Sequence, residues 1–342
     1  MVNVKRRLLI YSILAGIFAG IFEGIALGNY GVFQDTAVYY DLYTNINQYG
    51  VYQTAIDFSG LTKKNEPILL ILFYIEGLIG LDNLNENSFL IINIVLLNTL
   101  LAFVVIKYYF SNNKLRPIYI IIFIIIALLS YQSFSKMLYV WRSILAFIFF
   151  IISINSNGYK KVLWICITCF THITFALFIG LYLAIEKVSS KEKWYLLYIM
   201  AILMPIFIIF VQVNPEFFSG FVVGGDVEVF LSEGDGHSLF AYAAIFYTTI
   251  LLLMGCREYF HSRALRNIYI FSLVISLASL FAYNTDQLMN RIILPVYLIS
   301  SFLPFMIKSN SKYILLSRIG VFLSVIPSIR LIYLLYTAEF LK

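Results

Sequence analysis

Apolar segments recur along almost the whole chain and are separated by shorter polar segments. Most of them are close to the roughly 20 residues that a helix needs to cross a hydrocarbon core. Segment 118–129 is apolar on every side, whereas the strands of a membrane barrel alternate polar and apolar residues. The pattern therefore predicts an all-α, polytopic membrane protein with about 9–11 transmembrane or re-entrant helices. The predicted segments are 8–27, 67–81, 88–106, 117–131, 138–154, 162–185, 195–212, 239–255, 268–283, 288–307 and 313–336.

The amino-acid composition also indicates a membrane protein. Hydrophobic residues make up 61% of the 342 residues, charged residues make up 12%, and the mean hydropathy is +0.88. Ordinary soluble domains are less apolar than this. Because no polar segment is long enough to form a soluble domain, we predict a single integral membrane domain over 1–342. The net charge of +6 comes from Lys and Arg between apolar segments, which indicates membrane topology and not nucleic-acid binding.

The basic residues bear on which loops face the cytoplasm. Lys5, Arg6 and Arg7 precede the first apolar segment, so we interpret that segment as an uncleaved span with a cytoplasmic N-terminus. Plain alternation of the eleven predicted spans then places the basic residues of 107–116 and 160–161 outside. That placement contradicts the positive-inside rule.

Two re-entrant segments would remove this contradiction. If 67–81 and 162–185 enter the membrane and return to the side they came from, every basic loop becomes cytoplasmic. Irregular backbone at membrane depth requires a wet cavity or surrounding protein. Plain alternation and the re-entrant topology both remain open, and both predict two extracytoplasmic loops, 28–66 and 213–238.

A stripe of small residues marks the first apolar segment. Gly16, Gly20, Gly24 and Gly28 recur at every fourth position, which predicts close packing against another helix. Glu23 lies near the end of the same segment, and we expect its side chain to extend to the membrane interface.

Other ionisable residues fall inside or beside apolar segments. Burying such a group is costly, so Arg142 and Arg291 are candidates for binding an anion, with a structural salt bridge or a lipid head-group contact as the alternative. His172 is either a proton acceptor or a hydrogen-bonded buried imidazole. Glu66 directly precedes Pro67 and is either functional or a charge at a helix start.

The first outer loop carries polar and aromatic residues at helical spacing. Asp35, Tyr39, Tyr43 and Asn47 recur at every fourth position, which predicts one face of a short helix at the membrane surface. With the adjacent Tyr40, these rings, carboxylates and amides suit a sugar ligand. The alternative is a helix N-cap for Asp35 and an interfacial belt for the tyrosines.

The motifs of common soluble enzymes are missing. The sequence has no P-loop, no dinucleotide-binding glycine motif and no zinc-protease or serine-hydrolase motif, so nucleotide hydrolysis is not expected to drive the protein. Cys166, Cys169 and His172 form a C-x-x-C-x-x-H run, but the outer two are separated by about 120° on a helix and no fourth ligand is nearby. We therefore expect no metal ion and no cofactor.

Together these residues resemble the EpsG-like branch of the Wzy-type polysaccharide polymerases, which extend O-antigen lipopolysaccharide, capsule or exopolysaccharide chains in bacteria. The likeness covers most of the chain as a pattern of segments. The matching residues are Asp35 with Tyr39 and Tyr40, Glu66 at the second apolar segment, Trp141 and Arg142 followed by Ala146, Phe170, Thr171 and His172 with Thr174, and Arg291.

The resemblance implies a glycosyltransferase at the outer face of the bacterial cytoplasmic membrane. Such enzymes transfer a growing glycan from undecaprenyl diphosphate to the non-reducing end of the next lipid-linked repeat unit, and a chain-length regulator is the expected protein partner. Arg142 and Arg291 would then bind the diphosphate, and Tyr39, Tyr40 and Tyr43 the sugar. The catalytic candidates are His172 as the base, with Asp35 and Glu66 as further acidic residues.

Three other functions remain open. A GT-C-like glycosyltransferase with a polyprenyl-phosphate-sugar donor also needs an acidic residue in the first outer loop. An O-antigen ligase would place a histidine such as His237 in a larger second outer loop. A flippase for lipid-linked oligosaccharides could use buried arginines to move a diphosphate head group.

Overall fold

The computed structural model describes residues 2–28, 31, 35–62, 67–110, 117–138, 140–172, 174–190, 199, 202–206, 209–210, 239–254, 259, 263–281, 286–307 and 311–336. Within these ranges the regular structure is helical, and none of it is strand. The predicted all-α class is therefore confirmed.

The helices described in the structure are α1 (Val2–Gly28), α2 (Asp35–Thr62), α3 (Pro67–Leu78), α4 (Glu86–Val105, extended by a π-helical turn Ile106–Phe110), α5 (Pro117–Leu129), α6 (Tyr131–Met137), α7 (Trp141–Ile154), α8 (Tyr159–Thr171), α9 (Phe175–Ser190), α10 (Leu239–Met254), α11 (Arg263–Leu280), α12 (Asp286–Ser300), α13 (Leu303–Met306), α14 (Lys312–Leu323) and α15 (Val325–Tyr336). Most of them overlap the predicted apolar segments, whereas α2 lies in the first polar loop and α6 in the short polar stretch before 138–154.

Three stretches of the described chain are long and apolar enough to cross a membrane. They are Arg7–Gly28, Glu86–Tyr109 and Lys312–Leu334, and α5 with α6 adds a fourth candidate that is bent by 62°. Other helices are shorter than the predicted segments suggested. For example, α3 has 12 residues, which is about 18 Å of helix against a hydrocarbon core of about 30 Å.

The face of α1 that points away from the rest of the protein is apolar and exposed, as expected for a surface in contact with lipid. Leu14, Phe18 and Ile25 expose 54%, 59% and 52% of their surface, and they recur at helical spacing. An apolar stripe of this extent is rare on a soluble protein. The protein is therefore embedded in a membrane.

The opposite face of α1 carries the glycine stripe and packs closely against α4. A Cβ atom added at Gly16 or Gly20 would lie only 2.5 Å from a backbone Cα of α4, so only glycine allows this approach. The predicted packing role of the glycines is confirmed. The facing pairs are Gly16 with Thr99, Gly20 with Val95, Gly24 with Ile91 and Gly28 with Asn87.

These pairs also fix the direction of the two helices. Positions along α1 rise as positions along α4 fall, so α1 and α4 are antiparallel. The chain therefore leaves α1 and returns to α4 at the same end of this helix pair. The re-entrant interpretation of 67–81 requires this arrangement.

Glu23 does not extend to the interface as predicted, because α4 covers it. Its side chain is 0% exposed, and the side-chain amide of Asn98 donates a 2.6 Å hydrogen bond to its Oε2 atom. Asn93, also on α4, donates a 3.5 Å hydrogen bond to Oε2 of the buried Glu76 on α3. The expectation for Glu23 is therefore wrong, and α4 instead supplies asparagines that bind buried carboxyl groups of two neighbouring helices.

Helices α7 and α8 pack against each other as a hairpin. They are joined by residues 155–158, and the ring of Phe149 stacks on that of Trp164 at a centroid distance of 5.5 Å. Helix α8 ends at Thr171, His172 is extended (φ −159°, ψ 110°), and α9 begins at Phe175. The re-entrant interpretation of 162–185 requires such a break near the middle of the segment, and the structure has one at His172.

The chain divides into two compact units. The first comprises Met1–Leu61, Asn65–Ala176 and Ile319–Lys342, and the second comprises Thr62–Lys64 and Leu177–Arg318. In the second unit, α11 packs on α10 and α12, and the guanidinium of Arg318 donates hydrogen bonds to the carbonyls of Pro304 and Ile307. The single membrane domain stays a prediction.

Candidate functional site

The first polar loop forms the helix predicted for it. Helix α2 begins at Asp35 and is longer than expected, with a kink at Gly50, where φ is 79°. Only glycine adopts such a positive φ without strain. The predicted face of α2 does not point into open solvent, because it lies against residues 81–84 and α4.

Tyr43 attaches α2 to the connection between α3 and α4. Its ring is 1% exposed and packs on Phe89 with a centroid distance of 4.9 Å. Its hydroxyl donates to the carbonyl of Leu81 and accepts a 2.8 Å hydrogen bond from the amide of Leu84. Tyr40 donates to the carbonyl of Leu84 at 3.3 Å. These contacts give both tyrosines a structural role, and their contact with a sugar stays a prediction.

Tyr39 connects two of the predicted site residues. Its hydroxyl donates to Oδ2 of Asp35 at 3.5 Å, and the guanidinium carbon of Arg142 lies 5.9 Å from the centroid of its ring. On α7, the ring of Trp141 stacks on Tyr39 at 5.4 Å and also lies 5.5 Å from Phe89. The structure thus brings Asp35, Tyr39 and Arg142 together, although Asp35 and Arg142 are far apart in sequence.

The environment of Tyr39 determines its protonation state. Burial raises the pKa of Tyr39 to about 12, and the nearby positive charge of Arg142 offsets this effect only in part. Asp35 raises the pKa further because a second negative charge beside it is unfavourable. Tyr39 therefore remains a neutral hydroxyl near neutral pH, where it can donate a hydrogen bond but cannot act as a base.

His172 lies at the same end of the α7–α8 hairpin as Arg142. Phe149 and Trp164 are stacked, Arg142 lies seven residues before Phe149, and Thr171 lies seven residues after Trp164. In an antiparallel pair both positions are then about 10 Å from the stacked rings in the same direction. His172 follows directly and is 6% exposed.

Among the described side chains, the sequence analysis missed a buried lysine and a buried glutamate. Lys136, in α6, is 3% exposed, and Glu76, in α3, is 4% exposed. Glu76 was detectable as an acidic residue within the apolar segment 67–81. Lys136 was not, because the sequence gives no sign that the short polar stretch between two predicted spans forms a buried helix.

Several predicted positions lie outside the described residues. They are Glu66, the loop 213–238 with His237, and the side chain of Arg291, whose backbone belongs to α12. Among the side chains that the structure does describe, no group of three or more His, Cys, Asp and Glu residues is placed to hold a metal ion.

Comparisons with known proteins identify no family. No protein-family model, no curated protein and no solved structure matches the chain. The resemblance to the polysaccharide polymerases therefore stays a prediction that depends on the residues themselves.

Proposed function

We propose that this protein is a Wzy-type glycosyltransferase that polymerises lipid-linked repeat units at the outer face of a bacterial cytoplasmic membrane. The observation that supports this function best is the contact of Tyr39 with both Asp35 and Arg142. The buried side chain of Tyr39 thereby holds two groups close together. One is a carboxylate that can orient a sugar hydroxyl, and the other is a cation that can bind phosphate.

Arg142 would stabilise the leaving group. An undecaprenyl diphosphate carries its own activation, so the reaction needs fixed positive charge for the departing oxygen and not a nucleotide. A guanidinium forms two parallel hydrogen bonds with phosphate oxygens, and stacking of Trp141 on Tyr39 holds the start of α7 in place. The binding of phosphate by Arg291 stays a prediction from the sequence.

The acceptor hydroxyl would lose its proton to His172. The oxygen of the acceptor hydroxyl forms a bond to the anomeric carbon of the donor glycan. The bond between that carbon and the diphosphate oxygen breaks, and its electron pair leaves with the diphosphate. The proton of the hydroxyl passes to the imidazole. Asp35 and Glu66 are proposed to orient the sugars, with Tyr39 as a neutral hydrogen-bond donor beside Asp35.

The proposed orientation places this site outside. Arg7 at the start of α1 and Lys107 after α4 lie at the same end of the antiparallel pair, and the positive-inside rule assigns that end to the cytoplasm. The start of α2 follows the other end of α1. Asp35, Tyr39 and Arg142 would then face the extracytoplasmic side.

The surface glycan of a deletion strain tests the function. We expect the strain to carry single repeat units, the wild-type gene to restore the full ladder of chain lengths, and Arg142→Gln to fail to restore it. Arg330→Gln serves as the control, because Arg330 is an exposed arginine of α15. An unchanged ladder in the deletion strain would refute polymerisation. Repeat units confined to the cytoplasmic side would instead indicate a flippase, and units that lack one sugar would indicate a single-sugar transferase.

A further inference from the structure

One face of α6 is polar although residues 132–137 of this helix are all buried. At about 100° per residue, four polar side chains lie within an arc of about 160°, whereas Phe134 and Met137 lie on the opposite side. The four residues of this α6 polar face are Gln132, Ser133, Ser135 and Lys136, and they are 3%, 0%, 7% and 3% exposed.

Three atoms of the α6 polar face have no hydrogen-bond partner among the residues that the structure describes. They are Oε1 of Gln132 and the hydroxyl oxygens of Ser133 and Ser135. Folded proteins pair nearly all buried polar atoms, and a buried atom without a protein partner usually contacts water or a ligand. Three such atoms on one face therefore indicate a hydrated or ligand-binding space next to α6.

The backbone of α6 is held in place independently of these side chains. The amide of Tyr131 donates a 2.9 Å hydrogen bond to the carbonyl of Ser324, and the amide of Val140 donates to the carbonyl of Lys136 at 3.1 Å. Both ends of the helix are thus anchored by main-chain contacts. The polar side chains are not needed to terminate the helix, so their burial requires another explanation.

The α6 polar face directly precedes the start of α7. The indole of Trp141 donates a 2.8 Å hydrogen bond to the carbonyl of Met137, which closes the turn between the two helices. Lys136 and Arg142 therefore lie on either side of one short turn. Two cationic side chains and two hydroxyl groups in this region match the chemistry of a phosphate ligand, which binds cations and hydrogen-bond donors.

We propose that the α6 polar face is a phosphate-binding subsite for a lipid-linked substrate. The ammonium group of Lys136 supplies positive charge, the hydroxyls of Ser133 and Ser135 donate to phosphate oxygens, and Oε1 of Gln132 accepts from a neighbouring water or sugar hydroxyl. The identity of the ligand as a lipid diphosphate rests on the proposed function. The assignment of a phosphate group to this subsite rests on the side chains of the α6 polar face alone.

Binding to the purified full-length protein in lipid nanodiscs tests this subsite. The probes are undecaprenyl diphosphate, undecaprenyl phosphate, undecaprenol and inorganic pyrophosphate. We expect the diphosphate lipid to bind more tightly than the alcohol, and Lys136→Met to weaken its binding about tenfold or more, as expected for the loss of a charged hydrogen-bond donor. Lys160→Met, at an exposed lysine of α8, should bind like the wild type.

A serine variant separates ligand binding from a structural role. Because their hydroxyls have no hydrogen-bond partner in the described part of the chain, Ser133→Ala with Ser135→Ala should unfold at the same temperature as the ligand-free wild type or higher. The same variant should lose most of the stabilisation that undecaprenyl diphosphate provides. A lower unfolding temperature together with unchanged ligand binding would overturn the proposal.

The remaining outcomes distinguish the subsite from the proposed function. Equal binding of undecaprenol and undecaprenyl diphosphate would overturn the subsite. So would unchanged binding in Lys136→Met, even if the deletion strain shows that the protein is a polymerase. Weakened binding in Lys136→Met beside an unchanged glycan ladder in the deletion strain would support the subsite and reject the polymerase. Pyrophosphate binding that depends on Lys136 would support phosphate recognition without a contribution from the lipid.

Discussion

Asn98 of α4 donates a 2.6 Å hydrogen bond to Glu23 of α1, and both side chains are 0% exposed. The two residues belong to two candidate membrane spans, Arg7–Gly28 and Glu86–Tyr109. Hydrogen bonds between membrane helices contribute only about 0.6 kcal/mol on average. The larger quantity is the cost of a buried carboxyl group that loses its partner.

We therefore expect Asn98→Leu to destabilise the protein more than the hydrogen bond alone would suggest, by about 1–3 kcal/mol. The double variant Glu23→Leu with Asn98→Leu should regain most of this stability, because no unpaired polar group remains. Thermal unfolding of the four proteins in the same detergent gives the double-mutant cycle. Additive losses in the double variant would show that the pair is not coupled.

The glycine stripe of α1 yields a second stability prediction. In Gly20→Ala the new methyl group would lie 2.5 Å from the Cα of Val95, so α1 and α4 must separate. We expect a loss of about 1–3 kcal/mol in the free energy of unfolding. Gly180→Ala in α9 is the matched control, because in the described part of the chain its added Cβ meets no atom of a neighbouring element within 4 Å, and alanine favours helix. Equal unfolding temperatures for the two variants would contradict the close helix contact.

The sequence predicted features that depend on spacing within one segment. The glycine stripe and the helix from Asp35 are of this kind, because each follows from residues a few positions apart. The break at His172 was expected on another ground, the re-entrant topology that the basic loops favour. Burial of Glu23 was not predictable in this way, since its partner Asn98 is 75 residues away in sequence. Local pattern identifies a helix face but not the helix that covers it.

The residues of the candidate site also divide into those that local spacing predicts and those that depend on packing between distant helices. Helical spacing placed Asp35 and Tyr39 on one face of α2, and in the structure the hydroxyl of Tyr39 lies 3.5 Å from Oδ2 of Asp35. The approach of Arg142 depends on the packing of α7 against α4, through Trp141 and Phe89. Neither this contact nor the burial of α6 is visible in the hydropathy pattern.

Arg142→Lys tests whether the planar guanidinium is needed. Lysine keeps the positive charge but cannot form two parallel hydrogen bonds with phosphate oxygens. We expect the rate of polymer formation to fall about 10- to 100-fold, which corresponds to the loss of one charged hydrogen bond. The measurement compares membranes that contain equal amounts of the variant, the wild type and the exposed-site control Arg330→Lys. Wild-type rates for Arg142→Lys would leave Arg142 with a structural role.

His172→Ala tests the general base. Removal of a general base typically lowers the rate about 10²- to 10⁴-fold, while substrate affinity changes little. We therefore expect the variant to bind lipid-linked repeat units and to form almost no polymer. Thr171→Ala is the neighbouring control, because the Thr171 hydroxyl donates to the carbonyl of Ile167 within α8. Normal polymer from a correctly inserted His172→Ala protein would remove His172 from the mechanism and make Asp35 the next candidate.

The last prediction concerns topology, because an outward-facing site requires it. In a cysteine-free background, single cysteines at Lys107 and Lys160 should resist a membrane-impermeant thiol reagent in intact spheroplasts, whereas one at Asp57 should react. All three side chains are exposed, so their accessibility reports the side of the membrane and not burial. Both lysine positions should react once the membrane is permeabilised.

Labelling of Lys107 from outside would have a specific consequence. Since α1 and α4 are antiparallel, Lys107 lies at the same end of the pair as Arg7, and the N-terminus would then also be outside. The start of α2, with Asp35, would face the cytoplasm. Because Tyr39 contacts both Asp35 and Arg142, Arg142 would move to that side with it. An active site at the outer face would then be excluded for all three residues together, and the proposed polymerase would lose its access to repeat units on that face.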